Sequence, residues 1–66
     1  MALTNLVKEM AAAKVTKKML AEKLHVHPNT IANRLSGTGS FSISDAFEVQ
    51  KAFFPNLGIE YLFKQS

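Results

Sequence analysis

The sequence predicts an all-α domain, and three observations carry that reading. Apolar residues recur at helical spacing in successive short stretches, such as Leu3, Leu6, Val7 and Met10. Helix-capping residues stand before several of these stretches, Thr16 and Ser42 among them. No run alternates apolar and polar residues over the length of a strand, and no internal repeat is present. With 66 residues the chain forms one domain, 1–66. A chain of that size buries only about 60% of its unfolded surface, so its core has to be small and tight.

Five helices follow in order. The first is expected over about Thr4 to Ala13, where Ala11–Ala13 adds propensity and a thin face for close neighbours. The second begins after Thr16 as N-cap and runs to Leu24, with Leu20 and Leu24 inward and Met19 partly exposed. Pro28 fits only a first helical turn, so the third helix starts there and ends at about Leu35, before Gly37. Ser42 and Asp45 have capping-box spacing for a fourth helix that reaches Phe53 and is expected to bury Ile43, Ala46, Phe47 and Phe53. Pro55 ends it, and Asn56 is expected to cap a last helix from Leu57 to Phe63.

Net charge is +3 with pI near 9.5, unevenly placed. Residues 1–36 carry six lysines and arginines against two glutamates, a net +4, while residues 37–66 carry two against three acids, a net −1. That asymmetry suggests an anionic partner, although a solvated lysine-rich face explains the charge equally well. The chain has no cysteine, hence neither disulfide nor thiolate metal site. The start "MALTNLVKEM" does not read as a leader, and no apolar stretch approaches a membrane span. A cytoplasmic location is expected. With no paired carboxylates and no phosphate-cradling glycine motif, the chain does not read as an enzyme. His25 and His27 lack a third ligand, so no metal and no cofactor are expected. His25 reads instead as a left-handed turn residue and His27 as the cap of the third helix.

The third helix poses the functional question, because Pro28, Asn29, Thr30, Asn33 and Ser36 are poor helix-interior residues. On a helical wheel Ile31 and Leu35 point inward, and Asn29, Asn33 and Ser36 point outward with Thr30 on a shoulder. The outward face is thus a set of short amides and hydroxyls able to approach a flat polar surface. Leu20, Leu24, Val26, Ile31 and Leu35 pack the second and third helices across a three-residue turn, with Ala21 small enough to let the axes come close. This is the spacing of a helix-turn-helix.

The stretch "TKKMLAEKLHVHPNTIANRLSG" resembles the helix-turn-helix of the Cro and lambda-repressor type, the xenobiotic-response-element-like family. Its tail "FSISDAFEVQKAFFPNLGIEYLF" is similar to those of short regulators from phage and mobile elements. The resemblance runs from about Leu3 to Phe63 and implies a compact five-helix lambda-repressor-like domain that binds double-stranded DNA. It puts the base-reading positions on Pro28, Asn29, Thr30 and Asn33, and the backbone contacts on Thr16, Lys17, Ser36, Thr38 and Ser40. Arg34, at the edge of the same helix, is expected to join the backbone contacts. Where the family usually has a turn glycine this chain has His25, and Pro28 replaces a long polar reader, so base reading rests mainly on Asn29 and Asn33.

In the last helix Ile59, Leu62 and Phe63 face away from Leu57 and Tyr61, more apolar surface than one small core covers. A homodimer interface is expected at Ile59, Leu62 and Phe63. The expected function is a repressor-like transcriptional regulator without a small-molecule effector. Two other readings use the same fold: a protein-interaction module, such as an antirepressor or antitoxin, and a non-specific nucleoid binder.

Overall fold

The computed structural model describes residues 2–65, and every regular element in it is a helix: α1 (Thr4–Ala13), α2 (Lys17–Leu24), α3 (Pro28–Ser36), α4 (Ile43–Phe53) and α5 (Ile59–Leu62). The first three agree with the sequence boundaries to within a residue. α1 buries Leu6 and Met10, and the backbone N–H of Leu3 donates to the Leu35 carbonyl at 3.0 Å, tying the chain's start to the end of α3. Lys14 ends α1 at φ 59°, and the Val15 N–H reaches back to the Met10 carbonyl at 2.9 Å, as in a Schellman ending.

Thr16 opens α2 from extended backbone, its Oγ1 accepting from the Met19 N–H at 3.2 Å. In return the Thr16 N–H donates to Met19 Sδ at 3.4 Å, so a thioether takes the place that Glu or Gln holds in the usual capping box. That keeps Met19 at the surface, as expected. His25 ends α2 at φ 59°, the left-handed conformation read from the sequence.

The fourth helix is corrected. Ser42 Oγ caps it by accepting from the Asp45 N–H at 3.1 Å, but Ile43 is 79% exposed and Phe47 47% exposed. The helix is rotated so that Val49 is fully buried, with Ala46 and Phe53 half-buried beside it. Phe54, the residue that closes α4, is buried in the core where Phe47 is not.

The fifth helix is corrected too. It is one turn long, starts from Gly58 without a side-chain cap, and leaves Asn56 and Leu57 outside. Residues 54–57 form a turn instead: the Leu57 N–H donates to the Phe54 carbonyl at 3.1 Å, and Gln50 Nε2 donates to the Leu57 carbonyl at 3.0 Å. Leu62 is wholly buried in the core of its own chain and leaves nothing for a dimer interface, in contrast to the half-buried Ile59 and Phe63.

The core draws on all five helices, with Leu6, Leu20, Ile31, Val49 and Leu62 its largest fully buried side chains. Each such burial contributes roughly 1.5–3 kcal/mol. α5 is fastened to α1 by two polar contacts: Asn5 Nδ2 donates to the Tyr61 carbonyl at 2.9 Å, and Tyr61 Oη donates to Glu9 Oε2 at 2.7 Å. Among the described residues no helix is long and apolar enough to cross a membrane.

Candidate nucleic-acid interface

α2 and α3 meet across the turn His25–Val26–His27, with Leu20, Leu24, Ile31 and Leu35 buried between them. Ala21 is buried at the crossing, and its carbonyl accepts from the Val26 N–H at 3.0 Å, which holds the turn tight. The start of α3 is set by His27, whose Nδ1 accepts from the Asn29 N–H at 3.0 Å, and by Pro28 in the first turn. Gly37 ends the helix at φ 96°, a conformation that needs glycine.

Pro28, Asn29, Asn33 and Ser36 are exposed on the outer side of α3, with Thr30 half-buried at the shoulder. Asn29 and Asn33 sit at i,i+4 spacing, about 6 Å apart between Cβ atoms. Among the described residues neither of their side-chain amides makes a hydrogen bond. The Asn33 backbone carbonyl is fully used, accepting from Ser36 Oγ at 3.0 Å and from the N–H groups of Thr38 at 2.9 Å and Gly39 at 3.1 Å. The backbone under Asn33 is therefore rigid while its amide is available.

An open cleft of about 700 Å³ runs beside this face, between α1, the first turn of α2 and one flank of α3. Thr16, Lys17 and Ser36 line it together, and Ser36 Oγ is hydrogen-bonded to Thr38 Oγ1 at 3.3 Å. Four of the expected backbone-contacting residues thus lie in one neighbourhood. Thr4 and Lys8 of α1 line the same cleft and were missed from the sequence. The signal was there: Thr4, Lys8 and Ala11 recur on one side of α1, toward the basic start of α2.

Two expected contacts lie elsewhere. Arg34 Nη1 is 3.1 Å from Asp45 Oδ2, and its guanidinium stacks 5.6 Å from the Phe41 ring. Both charged side chains are about three-quarters buried, 22% and 26% exposed. Arg34 joins α3 to α4, and its charge is met from within the chain. Ser40 faces a second groove, of about 380 Å³, whose wall includes Phe41, Ile43, Phe47, Ile59 and Phe63. Phe41 packs edge-on against Phe63 there, with centroids 5.4 Å apart. Among the described residues no cluster of three or more His, Cys, Asp or Glu could hold a metal ion.

Two helices crossing at a small residue, the second presenting free amides beside a lysine-bearing cleft, define a helix-turn-helix DNA-binding domain. The sequence profile of the helix-turn-helix family matches residues 6–54, from α1 through α4. The chain belongs to that family, in its Cro and lambda-repressor type, a family of DNA-binding regulators of transcription and not of enzymes. No curated protein and no solved structure matches the chain significantly.

Proposed function

We propose that this protein is a sequence-specific transcriptional repressor of the phage or mobile-element type, acting as a homodimer on a two-fold operator. The observation that carries the reading is the state of Asn29 and Asn33: two exposed amides, one turn apart, on a helix whose backbone is capped at both ends. An asparagine amide complements the N6 and N7 groups of adenine in the major groove. Thr30 and Pro28 flank these readers by shape. Thr16, Lys17, Ser36 and Thr38 hold the sugar-phosphate strand along the cleft, with Lys8 as an added cation. Arg34 acts as a staple between α3 and α4.

The groove walled by Phe41, Ile43, Phe47, Ile59 and Phe63 supports a two-fold contact, since exposed Ile43 can enter the same groove of a second copy. Two half-sites related by a two-fold axis follow from that symmetry. Selecting bound sequences from a random duplex pool tests the function. A two-fold motif is expected; a pool without enrichment contradicts sequence-specific reading.

A further inference from the structure

From the N-cap of α3 we infer a further base-reading residue, His27, which donates a hydrogen bond from Nε2 to an acceptor on a base edge in the major groove. The inference rests on the DNA-reading role of α3 and adds to it a residue otherwise explained by capping alone. Its ground is the hydrogen bond at the other side of the ring. Nδ1 accepts from the Asn29 N–H at 3.0 Å, so Nδ1 carries no proton, and the proton of the neutral ring sits on Nε2. An imidazole whose tautomer and ring orientation are both set by a backbone contact presents a donor in one direction. His27 is exposed, and Nε2 has no hydrogen-bond partner among the described residues. The bond that orients the ring ends on the backbone N–H of Asn29, the first reader of the helix, so the imidazole is set against the first turn of α3, next to that reader. Capping alone needs no imidazole, because Ser, Thr, Asp or Asn caps at least as well. Histidine adds a rigid donor beyond the cap. The acceptors that fit are guanine N7 and O6, thymine O4 and adenine N7.

The test uses the full chain, the duplex that the parent protein selects from a random pool, and scrambled duplexes. His27→Thr and His27→Ser both keep a capping hydroxyl but lack the distal N–H donor, so their melting temperatures should match the parent's. Each variant should bind the selected duplex roughly 10-fold more weakly, a loss of about 1.4 kcal/mol, leave scrambled duplexes unaffected, and lose preference at one base pair. Nitrogen NMR of the free protein should show the His27 proton on Nε2. Parent-like binding to the selected duplex overturns the inference, as does an equal loss on all duplexes, which marks a phosphate contact. A proton on Nδ1 overturns it as well. A parent protein that selects no duplex sinks the DNA-reading role itself, an outcome visible before any variant is made.

Discussion

Arg34 and Asp45 lock α3 to the first turn of α4: their side chains meet at 3.1 Å, and the guanidinium lies over Phe41. Asp45 thus serves twice, its N–H donating to Ser42 Oγ and its carboxylate accepting from Arg34 Nη1. The pair holds the C-terminal half of the recognition helix at a set angle to the rest of the domain. Arg34→Ala removes a partly exposed ion pair and a cation–π contact, each worth at most about 1 kcal/mol, so a lower melting temperature is expected. The salt dependence of DNA binding should change little, because Asp45 already meets the charge. A drop of a full unit in the salt slope would place the guanidinium on phosphate.

Lys14 and His25 both end helices at φ 59° without being glycine. The left-handed region costs such residues roughly 1–2 kcal/mol, offset in part by the greater freedom that glycine gives the unfolded chain. His25→Gly should therefore stabilise the fold by up to about 1 kcal/mol, or several degrees in melting temperature for a domain this small. Calorimetry showing a lower melting temperature would mean that the imidazole makes a contact the turn needs.

Lys17 and Lys8 line one cleft beside the recognition helix. Lys17→Ala and Lys8→Ala should each weaken binding to all duplexes alike and flatten the log–log salt slope by roughly one unit. A slope equal to the parent's would take that lysine off the DNA backbone.

Ile43 tests self-association without touching the core, since 79% of its surface is exposed. Ile43→Glu puts a charge where the two-fold contact would close and should leave a folded monomer with most operator affinity lost. Sedimentation that finds the parent monomeric at high concentration, and also on DNA, would end the dimer proposal. Leu62→Ala would be a poor probe of it, because emptying a fully buried site costs roughly 2–5 kcal/mol and threatens the fold.

The legible parts were those decided by neighbours in sequence. Thr16, Pro28 and Ser42 act within three residues of themselves, and so the starts of α2, α3 and α4 could be read directly. The turn at His25 was legible for the same reason. The rotation of α4 is not legible in its own residues, because it carries two apolar stripes, Ile43 with Phe47 and Ala46 with Val49 and Phe53. Which stripe goes inward depends on α2, distant in the chain, and on how α5 folds back. A helix from Leu57 looks continuous in sequence, but Gln50, six residues before Asn56, bonds to the Leu57 carbonyl and sets 54–57 as a bend. In the candidate site the outward amides were visible on a wheel. The partner of Arg34 was not, since it lies eleven residues on, across a loop. The cleft that adds Lys8 to Lys17 exists only once α1 packs beside α3.

The central claim is that α3 reads bases through its free amides, and Asn33→Ala tests it most directly. The hydrogen bonds that Ser36, Gly37, Thr38 and Gly39 donate to Asn33 all end on its backbone carbonyl, so alanine keeps them, and the fold should be undisturbed. Binding free energies of parent and variant, measured on the selected duplex and on scrambled ones, give the answer. The expected result is a loss of roughly 1–3 kcal/mol on the selected duplex and relaxed preference at one base pair, with salt slope and melting temperature unchanged. Parent-like binding of Asn33→Ala to both kinds of duplex would contradict the account and move the protein-interaction reading ahead of it.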